Sequence, residues 1–271
     1  MKNNIGASTA CLYPMNTEEA LLSLAKLGIR DIEIFINCDM ELETPVFDEI
    51  NRIIRDYSLN VISVHPVPGW ESFYLFSNYE RRRQQFMDIY KRYFERMNEW
   101  GAEIMVFHGA NKSAAKSNEF YFEKYEQILT VAESYGIILA QENVAYCKSG
   151  NLDFLVKMKK EFGRRAYFTL DLKQALRSGY TPFRIIDELG KNIVHIHVSD
   201  NRGLMKHESF GINDDCLPVG RGNFNFTDFF EHLREIGYNK AVILELYREN
   251  FSGLTELNES VEKLVDICKI L

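Results

Sequence analysis

The feature that most constrains this chain is an alternation of two periodicities running from one end to the other. Short runs rich in Ile, Val and Phe alternate with longer stretches whose apolar residues recur every three or four positions. The runs predict strands near 3–9, 30–36, 61–65, 102–108, 137–143, 166–171, 192–198 and 240–246. The stretches predict helices near 17–27, 45–58, 79–100, 117–135, 150–162, 182–190, 226–236 and 254–270. Gly28, Gly101, Gly136, Gly163, Gly190 and Gly237 stand at the joints, where a left-handed residue ends a helix. Strict strand–helix alternation makes an α/β chain with a parallel sheet, and eight units of about 34 residues close into a (β/α)8 TIM barrel. The rival, an open doubly wound sheet, lacks a GxGxxG turn to support it. With no linker, low-complexity segment or composition break, residues 1–271 read as a single domain. One connection is long, 199–225 after the seventh strand, and loops of that length usually carry function.

Composition narrows the partners. The net charge of -7 and a pI near 5.5 argue against a general nucleic-acid or anionic-membrane binder. No apolar run reaches the roughly 18 residues of a membrane span. The start, MKNNIGASTACLYP, has no long apolar secretory stretch, so a cytoplasmic location is expected. The five cysteines, Cys11, Cys38, Cys147, Cys216 and Cys268, are odd in number and contain no CxxC pair. Reduced thiols are expected, without a disulfide framework or a zinc knuckle.

In such a barrel the active site lies at the C-terminal ends of the strands, so the last polar residues of each strand are the ones to inspect. These are Glu33, His65, His108, Glu142 with Asn143, Asp171, His195 and His197 with Asp200 beyond, and Glu245. Four of the six histidines of the chain fall at this face. Alternation puts His195 and His197 on one face of their strand, with Val194, Ile196 and Val198 on the other. One such Glu or His alone reads as a cap or an ion pair, His195 as a hydrogen-bonded core histidine, and Glu33 as an ion pair or the partner of an imidazole. The coincidence of Glu142, Asp171, His197 and Glu245 is what raises the functional reading. Carboxylates packed that closely repel one another, and a divalent cation resolves the conflict. Three carboxylates and one imidazole suit Mn, Mg, Co or Zn without selecting among them.

The motifs VHP at 64–66, FHGA at 107–110, QEN at 141–143, TLDLKQA at 169–175, HIHVSDN at 195–201, LPVGRGNFNF at 217–226 and ILELYR at 243–248 occur in order, each at a strand end or just beyond it. In that order the chain resembles the xylose isomerase-like barrels, the superfamily of sugar isomerases and epimerases and of endonuclease IV-type AP endonucleases. The resemblance implies one divalent metal ion held by Glu142, Asp171, His197 and Glu245. It implies Glu142 and Glu245 as the catalytic pair flanking the substrate. Arg202 matches an arginine that holds substrate oxygens. His65 and His108 match further ligands of the endonuclease branch, and so stand for substrate contacts or a second metal. The third zinc of that branch has no clean counterpart, because Gln174 replaces a histidine and Asp214, Asp215 and Cys216 replace its Asp-x-His.

The chemistry implied is proton transfer beside a carbonyl, through an enediolate whose charge a divalent metal stabilises. The expected activity is a metal-dependent isomerase or epimerase of a small sugar or sugar phosphate, with the choice between the two outcomes open. An endonuclease IV-like phosphodiesterase is the alternative, and a dehydratase or lyase, or a non-catalytic sugar-binding barrel, are further ones. A homo-oligomer is compatible with the sequence. Arg202, Lys206, Arg221, Arg248 and the run Arg81–Arg83 are candidate phosphate contacts. Trp70, Phe73 and Tyr74 are a candidate apolar wall for a sugar ring, whereas Phe224, Phe226, Phe229 and Phe230 read as core packing.

Overall fold

Eight parallel strands pair in chain order and close into a barrel in the computed structural model, which describes residues 4–114, 117–203 and 214–270. The strands are β1 (Ile5–Ser8), β2 (Asp31–Phe35), β3 (Asn60–His65), β4 (Ile104–Phe107), β5 (Ile138–Glu142), β6 (Tyr167–Asp171), β7 (Ile193–Val198) and β8 (Val242–Leu244). Pairing of Ile5 with Val242 and of Gly6 with Ile243 shuts the ring. All eight lie on the expected runs.

The helices outside are α1 (Thr17–Lys26), α2 (Val46–Tyr57), α3 (Glu80–Trp100), α4 (Asn118–Ser134), α5 (Leu152–Phe162), α6 (Leu172–Arg177), α7 (Pro182–Leu189), α8 (Phe226–Glu235) and α9 (Leu254–Ile270). Their apolar stripes seat them on the strands. On α3 the buried residues are Phe86, Ile89, Tyr90, Tyr93, Phe94, Met97 and Trp100, spaced three or four apart along one face. The six joint glycines all take positive φ, whereas α2, which has no glycine to end it, closes on Ser58 at φ 51°. Helix α6 was not anticipated, because six residues are too few for a periodic pattern. It forms because the Asp171 side chain accepts the Gln174 amide at 2.7 Å, capping the helix. Among the described residues, no helix is long and apolar enough to cross a membrane. All five cysteines are free thiols.

Two register shifts adjust the strand faces. Between Ile32 and Glu33 the pairing skips Ile62, which brings Glu33 opposite Ser63. Between Phe168 and Thr169 it skips Val194, which brings Thr169 opposite His195. Val194 therefore departs from the expected alternation. It packs with Ile104 and Ala140 in a small cluster contributed by strands alone, apart from the main core, whereas Ile196 and Val198 belong to that main core. His195 and His197 keep the shared face that alternation predicts.

The described part of the long connection after β7 is organised by one carboxylate. Asp200 accepts the amides of Gly220 at 2.8 Å, Gly222 at 2.9 Å and Phe224 at 3.1 Å, and it pairs with Leu217 through the backbone. A Cβ at position 222 would run into Asn201 and Asp200, so only glycine fits there. Phe224, Phe226, Phe229 and Phe230 pack on one another with ring centroids 4.9–5.8 Å apart, the core packing expected of them. Removing the Asp200 carboxylate leaves these amides without their charged acceptor. Asp200→Ala should lower the unfolding free energy by about 3 kcal/mol, read from urea denaturation; an unchanged midpoint would show that the loop holds itself.

Candidate active site

The chain assembles the upper rim of the barrel by clamping strand ends to one another. In the QEN segment, the Gln141 amide donates to the carbonyls of Phe107, His108 and Glu142, each at 3.0 Å, tying β5 to the end of β4. Its oxygen accepts the Tyr121 hydroxyl. Gly109, at φ 77°, is required because a Cβ there would strike that hydroxyl. Asn143 works in the other direction. It accepts the Asp171 amide at 2.7 Å and donates to the Asp171 carbonyl at 3.0 Å, tying β5 to the end of β6. Glu142 lies between the two clamps.

Below the rim, Glu33 is fully buried. Its Oε2 accepts the Ser63 hydroxyl at 2.8 Å, His195 Nε2 at 2.8 Å and His197 Nε2 at 2.9 Å. Because the carboxylate accepts, His197 carries a proton on Nε2, and its Nδ1 points the other way. That Nδ1 is buried with no hydrogen-bond partner. It lies 3.7 Å from Glu142 Oε1, 3.8 Å from Asp171 Oδ2 and 3.8 Å from Glu245 Oε2. The structure thus brings together the four residues expected to hold a metal. Among the described residues, Glu142, Asp171 and His197 form one of three buried groups whose donor atoms lie close enough for a single ion. His65, His108 and Glu142 form another, with His108 Nε2 2.7 Å from Glu142 Oε2 and 3.0 Å from His65 Nε2. The third is Glu33, His195 and His197.

The electrostatics follow from this crowding. Burial pushes Glu33 up, but His197 and His195 more than offset it and hold the carboxyl well below its usual range. Burial lowers His197, yet Glu33 and Glu245 raise it well above the ordinary imidazole value. Burial also pushes Glu142 up, and His108, His197 and His65 bring it well down. Asp171 is different. Burial, aided by Glu142 and Glu245, lifts it to about 6 against the pull of Lys173. Carboxylates outnumber the cations beside them, which is the condition a bound divalent ion relieves.

Lys173 is one group that sequence reasoning missed. Its ammonium lies 3.0 Å from Asp171 Oδ2 and 2.7 Å from Glu245 Oε2, and it is buried. The signal was present in TLDLKQA, where a lysine two residues after a strand-end aspartate sits in the first turn of α6. Lys173 and Gln174 join His65, His108, Glu142 and Glu245 in the polar lining of a cavity of about 550 Å³, whose walls include Tyr13, Phe35, Val67, Pro68, Tyr146 and Tyr247.

Other expected contacts lie elsewhere. Arg202 pairs with Asp214 at 2.9 Å, its side chain is 59% exposed, and it does not line the cavity. Arg177, from α6, lines it instead, held by Asp215 and by the Tyr247 hydroxyl at 3.0 Å. Arg221 pairs with Glu256, Arg248 donates to the Phe251 carbonyl, and Arg83 is taken by Ser77 and Glu80. Lys206 lies outside the described residues. Trp70, Phe73 and Tyr74 do not wall the cavity; Phe73 carries Arg82 on its exposed face, with the guanidinium 4.4 Å from the ring centre. Nor do the residues matched to a third zinc converge. Gln174 accepts the Ala145 amide, Asp215 holds Arg177, and the Cys216 thiol donates to the Glu245 carbonyl.

A family profile described as xylose isomerase-like TIM barrel matches residues 21–267. An uncharacterized protein of Methanocaldococcus jannaschii is 26% identical over 202 residues, which are 69% of this chain and 65% of its own length. The fold is similar to that of a D-tagatose 3-epimerase-like protein, with a TM-score of 0.79 and 22% identity over 100% of this chain and 98% of the other. It is also similar to 3-keto-D-glucoside 4-epimerase from E. coli, with a TM-score of 0.76 and 16% identity over 97% of this chain and 99% of the other. At these identities the structural likeness shows the fold.

The Glu33 network sets a pH window. A depressed Glu33 contributes stability above the ordinary carboxyl value of 4.5, and loses it as pH falls through its folded value. A raised His197 contributes below 6.5, and loses it as pH rises through its folded value. In metal-free protein, Glu33→Gln should cost about 3 kcal/mol near pH 6, with the gap to wild type shrinking toward both acid and alkali. Denaturation series across pH measure it, and a gap independent of pH would refute the charged pairing.

Proposed function

The chain belongs to the xylose isomerase-like TIM barrel family, and from that premise we propose that it is a divalent-cation-dependent isomerase or epimerase of a small sugar. The observation that carries this reading is the buried, unpartnered His197 Nδ1 facing three carboxylate oxygens at 3.7–3.8 Å beneath the cavity. This donor set fits Mn, Mg, Co or Zn, with Glu142, Asp171, His197 and Glu245 as the residues that would hold the ion. When bound, such an ion supplies positive charge where a carbonyl oxygen gains negative charge.

The residues of the chain then divide the remaining work. Glu142 on β5 and Glu245 just after β8 both reach the cavity, from strands well separated around the ring. Two carboxylates placed this way can remove a proton from a carbon beside a carbonyl and return one, either to the opposite face or to the neighbouring carbon. His65 and His108 offer ring nitrogens to substrate hydroxyls. Pro66 can only accept from His65 Nδ1, at 2.8 Å, so that nitrogen is the donor and Nε2 faces the site. The apolar walls exclude water and cover the less polar face of a sugar ring. The two cations lining the cavity are committed, Lys173 to Asp171 and Glu245 and Arg177 to Asp215. This favours an uncharged sugar over a phosphorylated one. The names of the structures of like fold, epimerases of keto sugars, agree with a ketose or keto-sugar substrate. Free thiols accord with a cytoplasmic enzyme.

Incubation of the Mn-loaded protein with a panel of ketoses and keto-glycosides in heavy water should place deuterium on carbon in at least one of them. Glu142→Gln and Glu245→Gln should each slow that exchange by a factor on the order of a hundred to ten thousand. Absence of exchange across the panel, with metal bound, would falsify the reading; full activity in either variant would remove that residue from the catalytic pair.

A further inference from the structure

The reading above leaves the buried Lys173 ammonium without a role. Lys173 stands two residues beyond Asp171, on a helix that Asp171 itself caps. Its ammonium contacts Asp171 Oδ2 at 3.0 Å and Glu245 Oε2 at 2.7 Å, with its side chain 5% exposed. These are the same two oxygens that lie 3.8 Å from His197 Nδ1. The Tyr247 ring, centred 5.1 Å from the ammonium, covers it from the side. A lysine that served only to close an ion pair at the rim would not need two oxygens that also face the candidate metal position.

We propose that Lys173 is a built-in counter-cation of the carboxylate cluster, sharing Asp171 and Glu245 with the divalent ion and holding down the affinity of the cluster for it. The inference rests on the metal reading given above. Its logic is charge balance. Glu142, Asp171 and Glu245, when ionised, carry one more negative charge than a divalent ion cancels, and a buried excess charge is costly. The ammonium supplies the missing positive charge. In the metal-free protein it also keeps Asp171 and Glu245 from repelling each other. Both cations draw on the same oxygens and repel each other at close range, so each weakens the hold of the other. The metal is thereby kept exchangeable, and the charge of the three carboxylates that would hold it is balanced by the ion and the ammonium together.

The test is titration of metal-stripped protein with Mn2+ alone, followed by calorimetry, for wild type, Lys173→Met and Lys173→Arg. Lys173→Met should bind Mn2+ about tenfold or more tightly than wild type, while Lys173→Arg, which keeps the charge, should stay near the wild-type value. Melting of Lys173→Met should drop without Mn2+ and should rise on Mn2+ addition by more than that of wild type, an excess gain that loss of a purely structural ion pair would not produce. Should Lys173→Met not fold metal-free, Lys173→Gln, which is neutral but keeps a donor, carries the same comparison. Equal or weaker Mn2+ binding by the neutral variant, with wild type binding, overturns the role of Lys173 and leaves the metal reading standing. Binding by none of the proteins overturns both.

Discussion

The Glu33 carboxylate, sealed beneath the site by β2, β3 and β7, is the charge on which the upper barrel depends. A buried anion is tolerable only when its hydrogen bonds and counter-charge are supplied on the spot. Ser63, His195 and His197 supply them, all to one oxygen. The two register shifts put these partners within reach, since Glu33 pairs with Ser63 across one shift and His195 follows the other. Once His197 Nε2 is bound to Glu33, the direction of the opposite nitrogen is no longer free. That nitrogen is the centre around which Glu142, Asp171 and Glu245 gather.

The same device recurs at three further groups of the site, each fixed by one atom and aimed by another. Asp171 caps α6 with Oδ1 and presents Oδ2. His65 holds Pro66 with Nδ1 and presents Nε2. His108 meets the Tyr146 hydroxyl with Nδ1 and presents Nε2 to Glu142. Fixing one atom removes most of the rotamer freedom that a flexible carboxylate or imidazole would lose on binding a ligand, so the site is arranged in advance. The clamps from Gln141 and Asn143 do the same at the level of the backbone, setting the spacing between β4, β5 and β6 at the height where the side chains converge.

What was legible in the sequence was what repeats or alternates. Eight apolar runs gave the strands, and the period of two placed His195 and His197 on one face. The strand-end rule of the fold then picked out the four residues that converge. What escaped was local and non-periodic. Helix α6 is too short to show a period, and with it went Lys173 and Arg177, the two cations that line the cavity. Val194 escaped because a register shift breaks alternation without marking the sequence. Arg202 was expected by its place after the strand-seven histidine, but its position is set by the loop, where Asp214 pairs with it. The aromatic trio after β3 was misplaced for a similar reason. Proximity in sequence to a strand end does not say which way a loop folds, and the walls come instead from Tyr13, Phe35, Tyr146 and Tyr247, drawn from loops and a strand end around the ring.

This division bears on how such a barrel changes its chemistry. The carboxylates and imidazoles are fixed by strands, by bonds to other strand ends and by one helix cap, so substituting any of them disturbs several neighbours at once. Lys173 and Arg177 sit on a helix of six residues, and the aromatic walls mostly sit on loops, where a substitution alters charge or shape at the cavity without touching the strand pairing. The proton transfer proposed for this site would therefore rest on the part of the structure least free to vary. The charge and outline of the accepted molecule are written into the part most free to vary. Substrate preference is accordingly to be sought in α6 and the cavity walls, and the proposed reaction type in the strand ends.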